Sequence, residues 1–64
     1  MIMNFKEFME LYDNWYGITR VNNSNLNTIV EGNTCKIYEE NENLYDKEVA
    51  AFGFYDGILT VIVK

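Results

Sequence analysis

The sequence predicts an α+β domain, an N-terminal helix packed on one face of a small antiparallel sheet of about four strands, in the order αββ(α)ββ. Three observations carry this. An apolar stripe at helical spacing opens the chain. Two β-rich runs at the C-terminal end are split by Asp56-Gly57. Between them lies a second pair of β-prone runs split by an Asn-rich segment. The whole chain, residues 1–64, is expected to form one domain.

The helix is expected over Met3 to Trp15. Asn4 is an N-cap, and Glu7 at N3 can reach back to the cap's N–H. Phe5, Phe8, Met9, Tyr12 and Trp15 or Tyr16 form the apolar stripe, widened by Leu11. Lys6, Glu7, Glu10, Asp13 and Asn14 take the other side, and Asn14 and Gly17 bracket its end.

Ile18–Val21 and Leu26–Val30 read as the first hairpin, because Asn22-Asn23-Ser24-Asn25 is rich in side chains that tolerate a left-handed backbone and bond it locally. Gly32-Asn33-Thr34 ends the second run. Asn33 or Thr34 can then cap a short helical turn through Glu39, with Ile37 inward, and a continued strand over Thr34–Tyr38 is the alternative. Glu39 to Asn43 is an acidic loop, and Leu44-Tyr45 returns to the core.

The final hairpin, within Glu48 to Lys64, is the most specific signal. A type I′ turn needs positive φ at both central residues, which Asp-Gly tolerates. A two-residue loop pairs Tyr55 with Ile58, then Phe54 with Leu59, Gly53 with Thr60, Phe52 with Val61, Ala51 with Ile62 and Ala50 with Val63. One face then holds Ala50, Phe52, Phe54, Leu59, Val61 and Val63, the expected core under the helix. The other holds Val49, Ala51, Gly53, Tyr55, Ile58, Thr60 and Ile62, with Thr60 its single polar member. Such a face is either an ordinary part-apolar surface or a contact surface. Val49, Ala51, Tyr55, Ile58, Thr60 and Ile62 are therefore the candidate partner-binding residues.

Composition narrows the chemistry. A ~60-residue domain buries only roughly 60% of its unfolded surface, so small folds usually need a disulfide, a metal or a second copy. Cys35 is the single cysteine and histidine is absent, which removes an internal disulfide and the usual zinc ligands. The remaining routes are a dense core, supplied by nine Phe and Tyr residues and Trp15, or self-association. Net charge is −5, against direct binding of nucleic acid or an anionic membrane. No apolar run approaches the ~20 residues of a membrane span. A lone cysteine suits a reducing, cytoplasmic setting.

Catalytic signals are missing. There is no histidine base, Cys35 neighbours only Lys36, and Ser24 stands in an Asn-rich turn without a Gly-x-Ser-x-Gly elbow. No phosphate-cradling glycine loop occurs. A calcium loop counted from Glu40 would need glycine where Tyr45 stands and a bidentate glutamate where Ala51 stands. No enzyme activity, cofactor or metal is expected. Glu39, Glu40, Glu42 and Asp46 form either a solvated loop or an acidic patch that occupies a basic partner's nucleic-acid channel. The partner expected is another protein or a second copy.

Leu44, Asp46, Glu48 and Val49, followed by Leu59, Val61 and Val63, form a Leu-x-Asp-x-Glu-Val lead into a hairpin ending Leu-x-Val-x-Val. This last third of the chain resembles short uncharacterised bacterial and phage proteins, which have no assigned activity. Small acidic phage proteins include inhibitors of host defence such as anti-CRISPR proteins, and the resemblance in size and charge implies that as an alternative function.

Overall fold

In the computed structural model, described for residues 2–12 and 16–64, helix α1 (Phe5–Leu11) leads into strands β1 (Ile18–Asn22) and β2 (Thr28–Asn33). Helix α2 (Thr34–Glu40) and a 3₁₀ turn (Glu42–Leu44) follow, then β3 (Val49–Tyr55) and β4 (Ile58–Val63). Two helices and a four-stranded sheet make an α+β fold.

Helix α1 starts where its cap demands. Asn4 Oδ1 accepts the Glu7 N–H at 2.8 Å, and Glu7 Oε1 accepts the Asn4 N–H at 3.1 Å. Tyr12 is already extended, so the helix is shorter than the expected Met3–Trp15 span. Asp13, Asn14 and Trp15 lie outside the described residues. Residues 34–39, open between helix and strand, are helical: Asn33 Oδ1 accepts the Lys36 N–H at 3.2 Å and caps α2.

The expected all-antiparallel sheet is corrected. Its order is β2-β1-β4-β3, and the central pair, β1 with β4, is parallel. Each hairpin is local and antiparallel. How two hairpins join is a non-local matter. Here the chain leaves β2 at one edge, crosses the core face through α2 and the 3₁₀ turn, and enters β3 at the opposite edge. The Asp56-Gly57 turn (φ 54° and 76°) then folds β4 back into the centre beside β1.

The core lies on one face only. Phe5, Phe8 and Met9 from α1, Ile37 from α2 and Leu44 from the 3₁₀ turn close over Val21, Leu59, Val61, Val63 and Val49. Thr19 and Thr34, both buried, share a 2.6 Å hydroxyl contact, and Thr34 also donates to the Gly17 carbonyl. This satisfied pair ties β1 to the start of α2 without leaving an orphaned polar group.

The hairpin register is as counted from Tyr55–Ile58 out to Ala51–Ile62, but then it shifts. A β-bulge between Val49 and Ala51 pairs Val63 with Val49 instead of Ala50. One extra residue in a strand rotates what precedes it by one side-chain position. Val49 therefore turns into the core, 2% exposed, and Ala50 turns out. Phe52 and Phe54 do lie on the helix side of the sheet, but β3 is an edge strand and α1 covers them only partly. They remain 49% and 53% exposed.

Candidate protein-contact surfaces

The outer sheet face is built in three rows, set by the pairing of β1, β4 and β3. Ile18, Ile58 and Tyr55 stand side by side, then Arg20, Thr60 and Gly53, then Asn22, Ile62 and Ala51. Among the described residues, both helices pack on the opposite face. The outer face's first row is apolar across three strands. Ile18 was not foreseen as part of it, because only the parallel β1–β4 seam places it beside Ile58.

The same seam makes the face more polar than the hairpin alone suggests. Arg20 Nε donates to Glu31 Oε1 at 2.6 Å across β1 and β2. Arg20 from β1 thus joins Thr60, the hairpin's own polar member, on this face. Thr60 is itself 7% exposed and offers little contact area. Its Oγ1 is buried with no hydrogen-bond partner. At Gly53, its cross-strand partner, the Tyr55 ring folds back so closely that an added Cβ would lie 3.2 Å from it. The strand glycine therefore accommodates an aromatic ring of its own strand.

Of the six expected contact residues, Ala51 and Tyr55 are exposed, and Ile58 and Ile62 are half-buried. Thr60 is buried within the face, and Val49 belongs to the core.

The acidic residues Glu39, Glu40, Glu42 and Asp46 are all exposed around the end of α2 and the 3₁₀ turn. Helix α1 adds to that side. Tyr38 Oη donates to Glu10 Oε2 at 2.6 Å, and Lys6 Nζ donates to the same oxygen at 3.0 Å. The hydroxyl and the ammonium hold the Glu10 carboxyl below its usual range. In return the Glu10 carboxylate, with burial as the lesser cause, pushes the Tyr38 phenol up to about 12. Tyr38 also stacks on Tyr45, whose hydroxyl donates to the Tyr38 carbonyl at 2.7 Å.

A second apolar surface, not foreseen as a unit, lies where α1 meets β3. Met3, Phe8, Leu11, Tyr12 and Phe52 line an open groove of about 190 Å³. Phe8 packs against Phe52 with ring centres 4.8 Å apart, and Tyr12 against Phe54 at 5.7 Å. Leu11, which only widens the stripe in sequence, is 72% exposed on the groove's lip.

Chemical groups elsewhere are quiet. The Cys35 thiol is raised above its ordinary pKa by burial and by the nearby Glu39 carboxylate, so it is held as the thiol. Among the described residues, no three His, Cys, Asp or Glu side chains are grouped to hold a metal ion, and no helix is long and apolar enough to cross a membrane. Comparison with protein-family models, curated proteins and solved structures finds no match to this chain.

Proposed function

We propose that this chain is a non-enzymatic, acidic, cytoplasmic protein-contact module that associates with a second copy through the outer sheet face. The observation that carries this reading is the apolar row Ile18–Ile58–Tyr55, continued by Ile62 and Ala51, on a face that neither helix covers. A small apolar centre framed by polar residues such as Arg20, Glu31 and Asn22 is the usual anatomy of a protein interface. Two copies meeting here supply each other with a second layer, which the described residues do not build on this face. Light scattering on wild type and on Ile18→Glu and Ile62→Glu tests it. A dimer that both charges dissociate supports the reading, and an unchanged mass in both variants removes it.

The alternative is a phage-type inhibitor that docks acidic groups on a basic partner, in the manner of anti-CRISPR proteins. The bond from Tyr38 to Glu10 favours it, because it brings the charged side of α1 beside the helix that ends in Glu39 and Glu40. Such binding weakens steeply with salt and is lost when Glu39, Glu40 and Glu42 become glutamine. Binding that ignores both changes removes this reading.

A further inference from the structure

We propose that the Asp56-Gly57 turn is a latent self-modification site, where an intramolecular succinimide forms when the hairpin tip opens and its hydrolysis leaves isoaspartate in the main chain. The sequence singles this position out. Asp56 is the one aspartate or asparagine in the chain that is followed by glycine. A side chain on the following residue shields the backbone nitrogen that must attack, and Gly57 has none. Both residues are exposed. A Cβ built on Gly57 meets nothing beyond its chain neighbours within 4 Å, so the turn is uncrowded on that side.

The chemistry balances with water as the sole co-reactant. The Gly57 amide nitrogen gives up its proton and bonds to Asp56 Cγ, and the carboxyl's hydroxyl leaves as water. The five-membered imide then takes water back at either of its carbonyls. Opening at Cγ restores aspartate. Opening at the main-chain carbonyl leaves the chain running through Cβ and Cγ, with the α-carboxyl as the side group. Nothing is oxidised or reduced.

The fold decides when this happens. Positive φ at both central residues, 54° and 76°, makes the turn type I′. In such a turn the first central residue has ψ of about +30°. That torsion sets the Gly57 nitrogen on the far side of the Cα–C bond from Cβ, so Cγ does not reach it. Ring closure needs a rotation of more than a right angle, which breaks the Tyr55–Ile58 pair that the turn holds. This pair is the weakly anchored end of the hairpin: Tyr55 is exposed and Ile58 half-buried, while Leu59, one step inward, is fully buried. The tip therefore opens without the rest of the sheet. Isoaspartate then lengthens the main chain between Tyr55 and Ile58 by one atom, and the tight turn whose twist matches its strands no longer closes. Tyr55 and Ile58 stay apart, while Leu59 and Val61 remain held in the core. The inference needs no second copy, so it stands independently of self-association.

The test is prolonged incubation of the full chain in warm neutral buffer, folded and in urea. Isoaspartate is read by an isoaspartyl methyltransferase that transfers a labelled methyl group, and peptide mapping locates the label. In urea, label is expected at Asp56, and Asp56→Glu carries none at that position, because its side chain is one methylene too long for the five-membered ring. The folded chain is expected to gain label at Asp56 at least about tenfold more slowly. Once separated and refolded, the isomerised chain is expected to lose amide protection at Ile58 and keep it at Val61. Absence of label at Asp56 in urea, or equal rates at Asp56 in the folded and unfolded chains, overturns the proposal. So does an isomerised chain whose Ile58 amide is as protected as in the unmodified protein.

Discussion

Truncating Phe52 and Leu59 separately discriminates most sharply between hydrophobicity and burial in this hairpin. Both are large apolar residues on the helix side of the sheet, one strand apart. Leu59 is fully buried on the central strand β4, whereas Phe52 is 49% exposed on the edge. Leu59→Ala leaves a cavity enclosed on all sides and is expected to cost about 2–5 kcal/mol. A domain of this length has a total stability on the order of 3–10 kcal/mol, so that single change removes much of it. Phe52→Ala opens to solvent and forms no closed cavity. Half the transfer energy of a buried aromatic, plus part of the Phe8 ring contact, gives about 1–2 kcal/mol. Urea denaturation followed by tryptophan fluorescence measures both, at low protein concentration. If Phe52→Ala costs as much as Leu59→Ala there, the partial exposure of the β3 edge is wrong.

Leu26 has φ 66° and is exposed, so it bears a left-handed backbone strain without a packing return. Leu26→Gly is expected to raise stability by about 1 kcal/mol in the same assay. Thr60→Val removes a buried hydroxyl that has no partner, and is expected to be neutral or stabilising by up to about 1 kcal/mol. The Glu10–Tyr38 bond sets opposite pH limits. Glu10, lowered in the fold, contributes stability above its unfolded pKa that is lost as pH falls through the folded one. Tyr38, raised to about 12, contributes stability below its unfolded pKa near 10 that is lost as pH rises toward 12. Tyr38→Phe should flatten both limbs of a stability–pH curve, and a curve identical to wild type would show the bond contributes nothing.

What the sequence discloses here is local. Asn4 and Glu7 announce the start of α1 because a capping box is satisfied within four consecutive residues. Asp56-Gly57 announces the C-terminal hairpin, and its register from Tyr55 to Ala51, because the turn's own backbone geometry sets the pairing. The parallel β1–β4 seam has no such marker. It is decided by how α2 and the 3₁₀ turn cross the core, and it alone brings Ile18 to Ile58 and Arg20 to Thr60. The bulge at Ala50 has no marker either, since Val49-Ala50-Ala51 contains no glycine or proline. That one-residue shift moves Val49 from the expected contact surface into the core. The turn register puts Phe52 and Phe54 on the helix side, but edge or centre is a property of the sheet's order, which pattern alone does not encode. The groove under Leu11 follows from the same edge position.

Sedimentation equilibrium of the wild-type chain at about 0.1 mM, well above a micromolar dissociation constant, tests self-association most directly. The outer-face reading predicts a mass twice the 7.5 kDa of one chain, returning to one chain's mass in Ile18→Glu. A wild-type mass of 7.5 kDa at that concentration would contradict it.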